Sequence, residues 1–541
     1  MSKLRRRSVV GAGVLGGVAV SLGAPLVKRV EAADPRTLTV ASTTDVDTLD
    51  PASFRTDGAY TVTTNVYDTS VGWEVAPSAT APGVSTAVPS KFIPNLAESF
   101  ATEDDGATIV LKIRRDAKFP SGRPITAHSI KYMLDRGLQS PGYVRLTIPR
   151  YLRVTSPDSF IVRDDYTFAM KMPGPTPLAY HILSLCTLSV VDEVIAKANA
   201  TPSDPWATDW FRRNTTGGGA YTLTKNEPGV GLVMEYNPGS WHPKPFFQRV
   251  NSRFVPNESD RILLLKRGAI DMMTGVGLSP RNIKALETEP KIQVISVPDT
   301  SCHFLCMNGK KAPLDNVKLR QAINYAIPID AMLQNLLFGY ATQMKSPLPS
   351  LMPGYDPTLS PYRYDVAKAK ALVQEAGLGS QPVTLELAVR VGWTTHEQAA
   401  TWIQAELEKI GLKVAIVRET DAAFRQAAIG GKHLLSIEAW QSWVNDPIFH
   451  MNANFHSTST NTNSSFYSNP VLDKLLTDNM HEPNAEKRAA AVKQAQKILI
   501  DDAVWGFLWY ENWTRVARKD LTGFTKRWDT FDRYRDLRLK S

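Results

Sequence analysis

The sequence predicts an α/β protein of more than one domain, and three observations carry that prediction. About 500 residues follow a leader-like N-terminus, too many for one hydrophobic core. Short alternating or apolar strands recur between amphipathic helices in both halves of the chain. Asx residues and glycines stand where those helices need caps and stops.

The leader comes first. Lys3, Arg5, Arg6 and Arg7 form a basic head, residues 9–27 are apolar, and Val30-Glu31-Ala32 supplies small or apolar residues at a cleavage site. This is the layout of a secretory signal peptide over residues 1–32. Glycines at 11, 13, 16, 17 and 23 make the run a poor membrane anchor. Arg6-Arg7-Ser8-Val9-Val10 fits a twin-arginine export signal, and Lys28 and Arg29 before the cut suit that route. With no cysteine near the cut, the expected product is a free protein of a Gram-negative periplasm.

The elements then follow in order. Residues 37–42 read as a strand, and 78–91, rich in Pro, Ala, Ser and Thr, as an exposed loop. Residues 108–113 and 160–163 alternate like half-buried strands, and Thr126 can cap a helix over 126–138. Strand patterns return at 232–236, 250–255 and 292–297. Asn316 can cap 317–326, and Asp365 can cap 366–376 with Gly377 as its stop. Residues 397–410 carry one apolar face and end at Gly411. Asn484 can cap a helix running to about Asp502, and 504–510 read as a buried strand.

Composition excludes several function classes. The whole chain carries a net charge of +9, but without six basic residues and one acidic residue of the leader this falls to +4. So small and dispersed an excess gives no footprint for nucleic acid. Of three cysteines, Cys302 and Cys306 sit four apart on a strand pattern, about 13 Å from each other on one face, too far to bridge. Neither they with His303 nor the pair His450 and His456 forms a convincing metal set, so no metal and no cofactor are expected. Nucleophile elbow, phosphate-loop and His-Glu-x-x-His motifs are missing, and Gly217-Gly218-Gly219 lacks the lysine that a phosphate loop needs. An enzyme is not expected.

Several blocks, in one order, resemble a known family. They are Asp47-Thr48-Leu49-Asp50-Pro51, Asn65-Val66-Tyr67-Asp68, Pro94-Asn95-Leu96-Ala97-Glu98-Ser99 with Asp105-Gly106, and Lys118-Phe119 through Ala127. Gly217-Gly218-Gly219-Ala220-Tyr221, Leu265 to Asp271, and Asn308 with Val317 to Ile327 complete the set. The chain resembles the substrate-binding proteins of ABC importers that bind peptides, nickel complexes and opines. That resemblance implies a two-lobed periplasmic-binding-protein fold, monomeric, with a hinge and a solute enclosed between the lobes. Lobe one would hold residues 33–298 with 515–541 returning to it, and lobe two 299–514. The implied partners are a peptide or another small solute (opine, nickel chelate or oligosaccharide) and ABC permease subunits in the inner membrane.

A peptide in a closed cleft needs a carboxylate for its ammonium and an arginine for its carboxylate. By resemblance to dipeptide binders, Arg390 at a strand end would meet the solute carboxylate. Asp446, three residues after Trp443, stands either for the partner of the solute ammonium or for a structural turn before Pro447. Trp440, Trp443 and Trp393 are the expected pocket walls, whereas Trp505, Trp509 and Trp513 read as core.

Overall fold

Two long antiparallel strands, Ile292–Met307 and Trp505–Arg518, run side by side from the pair Ile292↔Arg518 to the pair Cys306↔Trp505. Cys302–Met307 of the first and Trp505–Tyr510 of the second are buried residue after residue, as strands covered on both sides require. Trp505, Trp509 and Trp513 are all buried, as expected of core residues. The computed structural model describes residues 35–53, 56–140, 144–274, 277–378, 383–460 and 462–540. The expected signal peptide, its twin arginines and its cleavage site lie outside them.

The long pair forms the centre of an eleven-stranded sheet. On one side follow Met272–Thr274, Thr37–Ser42, Arg249–Phe254, Gly231–Tyr236 and Tyr221–Glu227. On the other lie Leu435–Gln441, Val383–Arg390 and Leu412–Glu419, while Ala341–Gln343 pairs with Trp505–Arg518. The ladder between the long strands lapses between Val297 and Ser301, at Pro298-Asp299-Thr300. Before this break Ile292–Met307 runs beside Trp513 to Arg518, part of which pairs with Met272–Thr274. After it the strand pairs with Leu435–Gln441. The break therefore separates two sectors of one sheet.

Of three smaller sheets, one is the two-stranded pair Leu521–Thr522 and Arg538–Leu539, and two are larger. Ala97–Glu103, Thr108–Ile113, Thr167–Lys171 and Phe160–Asp164 form an antiparallel layer. It is covered by the helix Ala127–Gln139, whose N-cap Thr126 makes a capping box with Ser129. Val71–Pro77, Ser85–Pro94 and Thr525–Lys526 form the other. The loop expected over 78–91 is thus partly strand. Its partner for Ser85-Thr86 is Thr525-Lys526, more than 400 residues away in the chain, which local composition does not reveal.

The expected caps form. Asn316 accepts from the Lys318 amide, Asp365 from that of Lys368 and Asn484 from that of Lys487. Gly377 and Gly411 take φ of +65° and +87° just after their helices, a region open to glycine at little cost. The glycine run has a packing role: a Cβ at Gly217 would stand 2.2 Å from the Val66 carbonyl oxygen. That carbonyl, at the end of the helix Asp57–Val66, accepts from the Gly219 amide at 2.9 Å. Cys302 and Cys306 are free and buried in the core. Among the described residues no helix is long and apolar enough to cross a membrane.

Candidate functional site

Three segments far apart in sequence meet in an aromatic seam. Tyr60 comes from the helix Asp57–Val66, Trp443 from the turn after Leu435–Gln441, and Phe531 from the C-terminal segment. Tyr60 stacks on Phe531 with centroids 4.4 Å apart, and Trp443 meets Tyr60 edge-on at 4.8 Å. Beside them Trp73, Ala87 and Trp528 pack with Phe92 and Leu351. Asn445, two residues after Trp443, donates from its side-chain amide to the Leu351 carbonyl at 3.4 Å and so joins the two groups.

Buried ion pairs hold this seam in place. Lys526 reaches Asp299 at 2.7 Å, at the break in the long strand, and its ammonium lies 4.3 Å over Trp528. Arg515 donates from Nε to Asp532 at 2.7 Å and from Nη2 to the Thr530 carbonyl at 2.6 Å. Arg533 grips Asp529 through both Nη atoms, at 2.7 and 2.5 Å. The segment carrying Trp528 and Phe531 is thereby stapled to the end of Trp505–Arg518. Removing one member of such a pair leaves a buried charge and costs more than the pair contributes.

Several donors at the seam have no acceptor. The indole N–H groups of Trp73, Trp443 and Trp528 are buried without a hydrogen-bond partner among the described residues, as is Nδ1 of His181. The His181 ring stands edge-on to Phe92 at 4.8 Å, and burial pushes its pKa down to about 4, so it is neutral near pH 7. An unsatisfied buried donor costs about 1–3 kcal/mol. Among the described residues, unpartnered buried donors also occur away from the seam, at Nε1 of Trp440 and Trp509 and at Nε of Arg390.

Of the residues expected to line the site, Trp443 is in this seam. Trp440 lies opposite Cys302 in the sheet, with its indole nitrogen also unpartnered. Trp393 is 38% exposed and stands 4.9 Å from the His396 ring. Asp446 is committed elsewhere, whereas the buried Nε of Arg390 has no hydrogen-bond partner among the described residues. Arg390 is buried; its Nη2 donates to Glu438 at 3.3 Å, and its guanidinium lies 4.3 Å over Phe424. Burial depresses the arginine and raises the Glu438 carboxyl, each opposed by the charge of the other. Asp446 caps the helix Pro447–Phe455, accepting from the Phe449 amide at 2.8 Å, and Arg488 donates to both its oxygens. Of the two roles open to Asp446 in the sequence, this geometry is that of the structural turn.

Tyr60, Phe531, Trp73 and Trp528 did not emerge from the sequence. Trp528 and Phe531 share the C-terminal segment, Tyr60 and Trp73 come from two others, and only the tertiary fold brings them together. A second polar cluster joins the long strands to the helix Thr394–Lys409: His303 and His396 share a hydrogen bond at 2.8 Å, and His303 reaches Glu511 at 2.7 Å. Burial and the neighbouring His303 hold His396 well below the ordinary histidine range. Among the described residues no group of three or more His, Cys, Asp or Glu side chains is arranged to hold a metal ion.

Residues 91–462 match the family model of bacterial extracellular solute-binding proteins, family 5. The chain belongs to this family. The family-5 protein is therefore an extracytoplasmic solute-binding component of ABC import, and not an enzyme. Its sequence is 30% identical over 489 residues to the probable D,D-dipeptide-binding periplasmic protein DdpA of Escherichia coli, covering 90% of this chain and 91% of that one. It is 27% identical to the glutathione-binding protein GsiB of Pectobacterium atrosepticum, over 99% of each chain. Among solved structures, the periplasmic binding protein DppA of Helicobacter pylori, in complex with peptide STSA, superposes with a TM-score of 0.79 at 24% identity. That match covers 93% of this family-5 protein and 98% of DppA. The fold is the two-lobed α/β fold of periplasmic binding proteins, with the long strands running from one sheet sector into the other.

Proposed function

We propose that this family-5 protein captures a short peptide-like solute in the seam around Tyr60, Trp443 and Phe531. The lobes are residues 33–298 with 515–541 and residues 299–514, so the seam lies between them. The protein works in the periplasm and hands its solute to ABC permease subunits in the inner membrane. The observation that carries this reading is the set of buried indole donors without acceptors. A peptide backbone offers a regular row of carbonyl acceptors, and aromatic walls cover its side chains. The names of DdpA and GsiB, a D,D-dipeptide and glutathione binder, support a small peptide scale. In this reading Trp443 is a contact residue, while Arg390 and Asp446 support the lobe from within.

Thermal-shift screening of the purified protein against dipeptides, tripeptides, opines, nickel chelates and oligosaccharides tests the proposal, because a ligand bound only by the folded state raises its melting temperature. Peptides should give the largest shifts. A shift with one of the other solute classes and none with any peptide would sink it.

A further inference from the structure

We propose that the C-terminal segment forms a second ligand site, a basic cavity that binds the phosphate of a small phosphate monoester. The cavity, of about 320 Å³, lies between residues 242–246 and residues 535–538. Three cations line it, Lys244, Arg535 and Arg538, against one carboxylate, Asp536.

The fold keeps this cavity apart from the aromatic seam. Asn65 ties the C-terminal segment to the helix Asp57–Val66. Its side-chain amide donates to the Asp532 carbonyl at 2.9 Å, and its Oδ1 accepts from the Tyr534 amide at 2.8 Å. Phe531 precedes this tie and stacks on Tyr60 near the start of the helix. Arg535 follows it and stands 3.8 Å from Asp68, two residues beyond the end of the helix. The pairing of Leu521–Thr522 with Arg538–Leu539 fixes the far end of the segment.

Arg535 is the group left unspent. Its side chain is only 20% exposed, yet among the described residues its guanidinium donates no hydrogen bond. Asp68 and Asp536 attract it from 3.8 and 3.9 Å, beyond bonding distance. Both carboxylates are bonded to other donors. Asp68 lies 2.9 Å from Nε2 of His242 and accepts from the Trp241 indole at 3.1 Å, and Asp536 accepts from Arg527 at 2.8 Å. Burial depresses the Arg535 pKa, and the two carboxylates oppose it. A guanidinium so placed lacks the acceptors that would offset its desolvation.

The remaining lining says what the acceptor is. Lys244 and Arg538 are exposed at the rim, and neither side chain makes a hydrogen bond or ion pair among the described residues. Lys244 has only the Tyr236 ring, at 5.7 Å. Three cations against one carboxylate leave an excess of two positive charges. A phosphate monoester carries about −1.5 to −2 near pH 7, and its three oxygens suit a guanidinium fork with two further cations. A single carboxylate would leave part of that charge unanswered. Pro243 and Pro245 hold the chain on either side of Lys244, and with Phe246 they supply an apolar wall for a small organic body.

The test titrates the purified protein calorimetrically with α-glycerophosphate, inorganic phosphate and glycerol, with sodium chloride at equal ionic strength as the control. Wild type should bind α-glycerophosphate saturably, more tightly than inorganic phosphate, and should ignore glycerol. Arg535→Gln should weaken this binding on the order of 100-fold. The double variant Lys244→Ala, Arg538→Ala changes only exposed side chains, so its fold is safe, and it should weaken binding about tenfold. Trp443→Ala should bind α-glycerophosphate like wild type. Flotation with phosphatidylcholine vesicles, with and without phosphatidic acid, distinguishes a lipid head group from a free ester. Flotation that needs phosphatidic acid and is lost in the double variant would support the site and assign it to a lipid. Binding that survives unchanged in the double variant, or that is lost in Trp443→Ala, would overturn the site. So would a response no larger than that to sodium chloride, with no flotation on phosphatidic acid.

Discussion

The Arg488 guanidinium donates to both carboxylate oxygens of Asp446, at 2.6 and 2.5 Å, across 42 residues of sequence. The same carboxylate accepts from the Phe449 amide and starts a helix whose nine residues are all buried. Asp446 is thus the joint between the helices Pro447–Phe455 and Ala485–Asp501.

Substituting that joint should cost stability before it costs binding. Asp446→Asn weakens the cap and strands Arg488, for a loss of roughly 3–5 kcal/mol. Urea unfolding should show this loss, whereas the ratio of affinities for free and N-acetylated dipeptides should stay that of wild type. A changed ratio at unchanged stability would restore Asp446 to the solute.

Arg390→Ala should behave similarly for a different reason. It abandons Glu438 in the interior and removes the guanidinium that covers Phe424. A loss of about 3–5 kcal/mol is expected, and the double variant Arg390→Met, Glu438→Gln should recover most of it. Chemical denaturation of the two proteins checks this; a double variant no more stable than Arg390→Ala contradicts it.

Trp443 is predicted to act on binding. Trp443→Ala should weaken any bound dipeptide by about 1–3 kcal/mol, or roughly 5- to 150-fold. Trp443→Phe keeps a ring against Tyr60 but lacks the N–H, so its affinity should fall between the two. Calorimetric titration giving Trp443→Phe the affinity of Trp443→Ala would show that the ring contributes nothing beyond its donor.

Acid should unfold the protein through its buried histidines. His450 is fully buried with Nε2 2.9 Å from the Pro347 carbonyl, and burial pushes its pKa from 6.5 to about 4. The unfolded chain takes up this proton near pH 6.5 and the folded one only near pH 4, so stability is full above the unfolded value. It is lost as pH falls between the two, by roughly 3 kcal/mol for this one group. His450→Gln keeps a donor for Pro347 without the titration, so its stability measured by urea at pH 7, 5.5 and 4.5 should fall less steeply. Equal slopes for the two proteins would refute the assignment.

The fold was legible because its signals are local. Asn316, Asp365 and Asn484 cap helices with amides two or three residues away, and Gly377 and Gly411 stop theirs by their own backbone angles. The family blocks likewise encode turns and close contacts, as the Gly217 approach to Val66 illustrates. Of the candidate seam, only Trp443 was legible in the sequence. Which cation answers Asp446, or that Glu438 stands behind Arg390, is decided by pairings 42 and 48 residues apart. Tyr60 and Phe531 are separated by nearly the whole chain, and a lone aromatic in a helix or a tail looks the same whether it covers a core or a solute.

The strand at the middle of the large sheet, Trp505–Arg518, comes after nearly all the residues it organises. Thr37–Ser42, near the N-terminal end of the described residues, reaches the other half of the sheet only through Met272–Thr274 and that late strand. Synthesis from the N-terminus therefore leaves the sheet in two unjoined parts until the last few dozen residues have emerged. Such long-range closure is slow to fold. It gives the growing chain an extended interval in which a chaperone can hold it, and makes truncation near the C-terminus damaging to the N-terminal half as well.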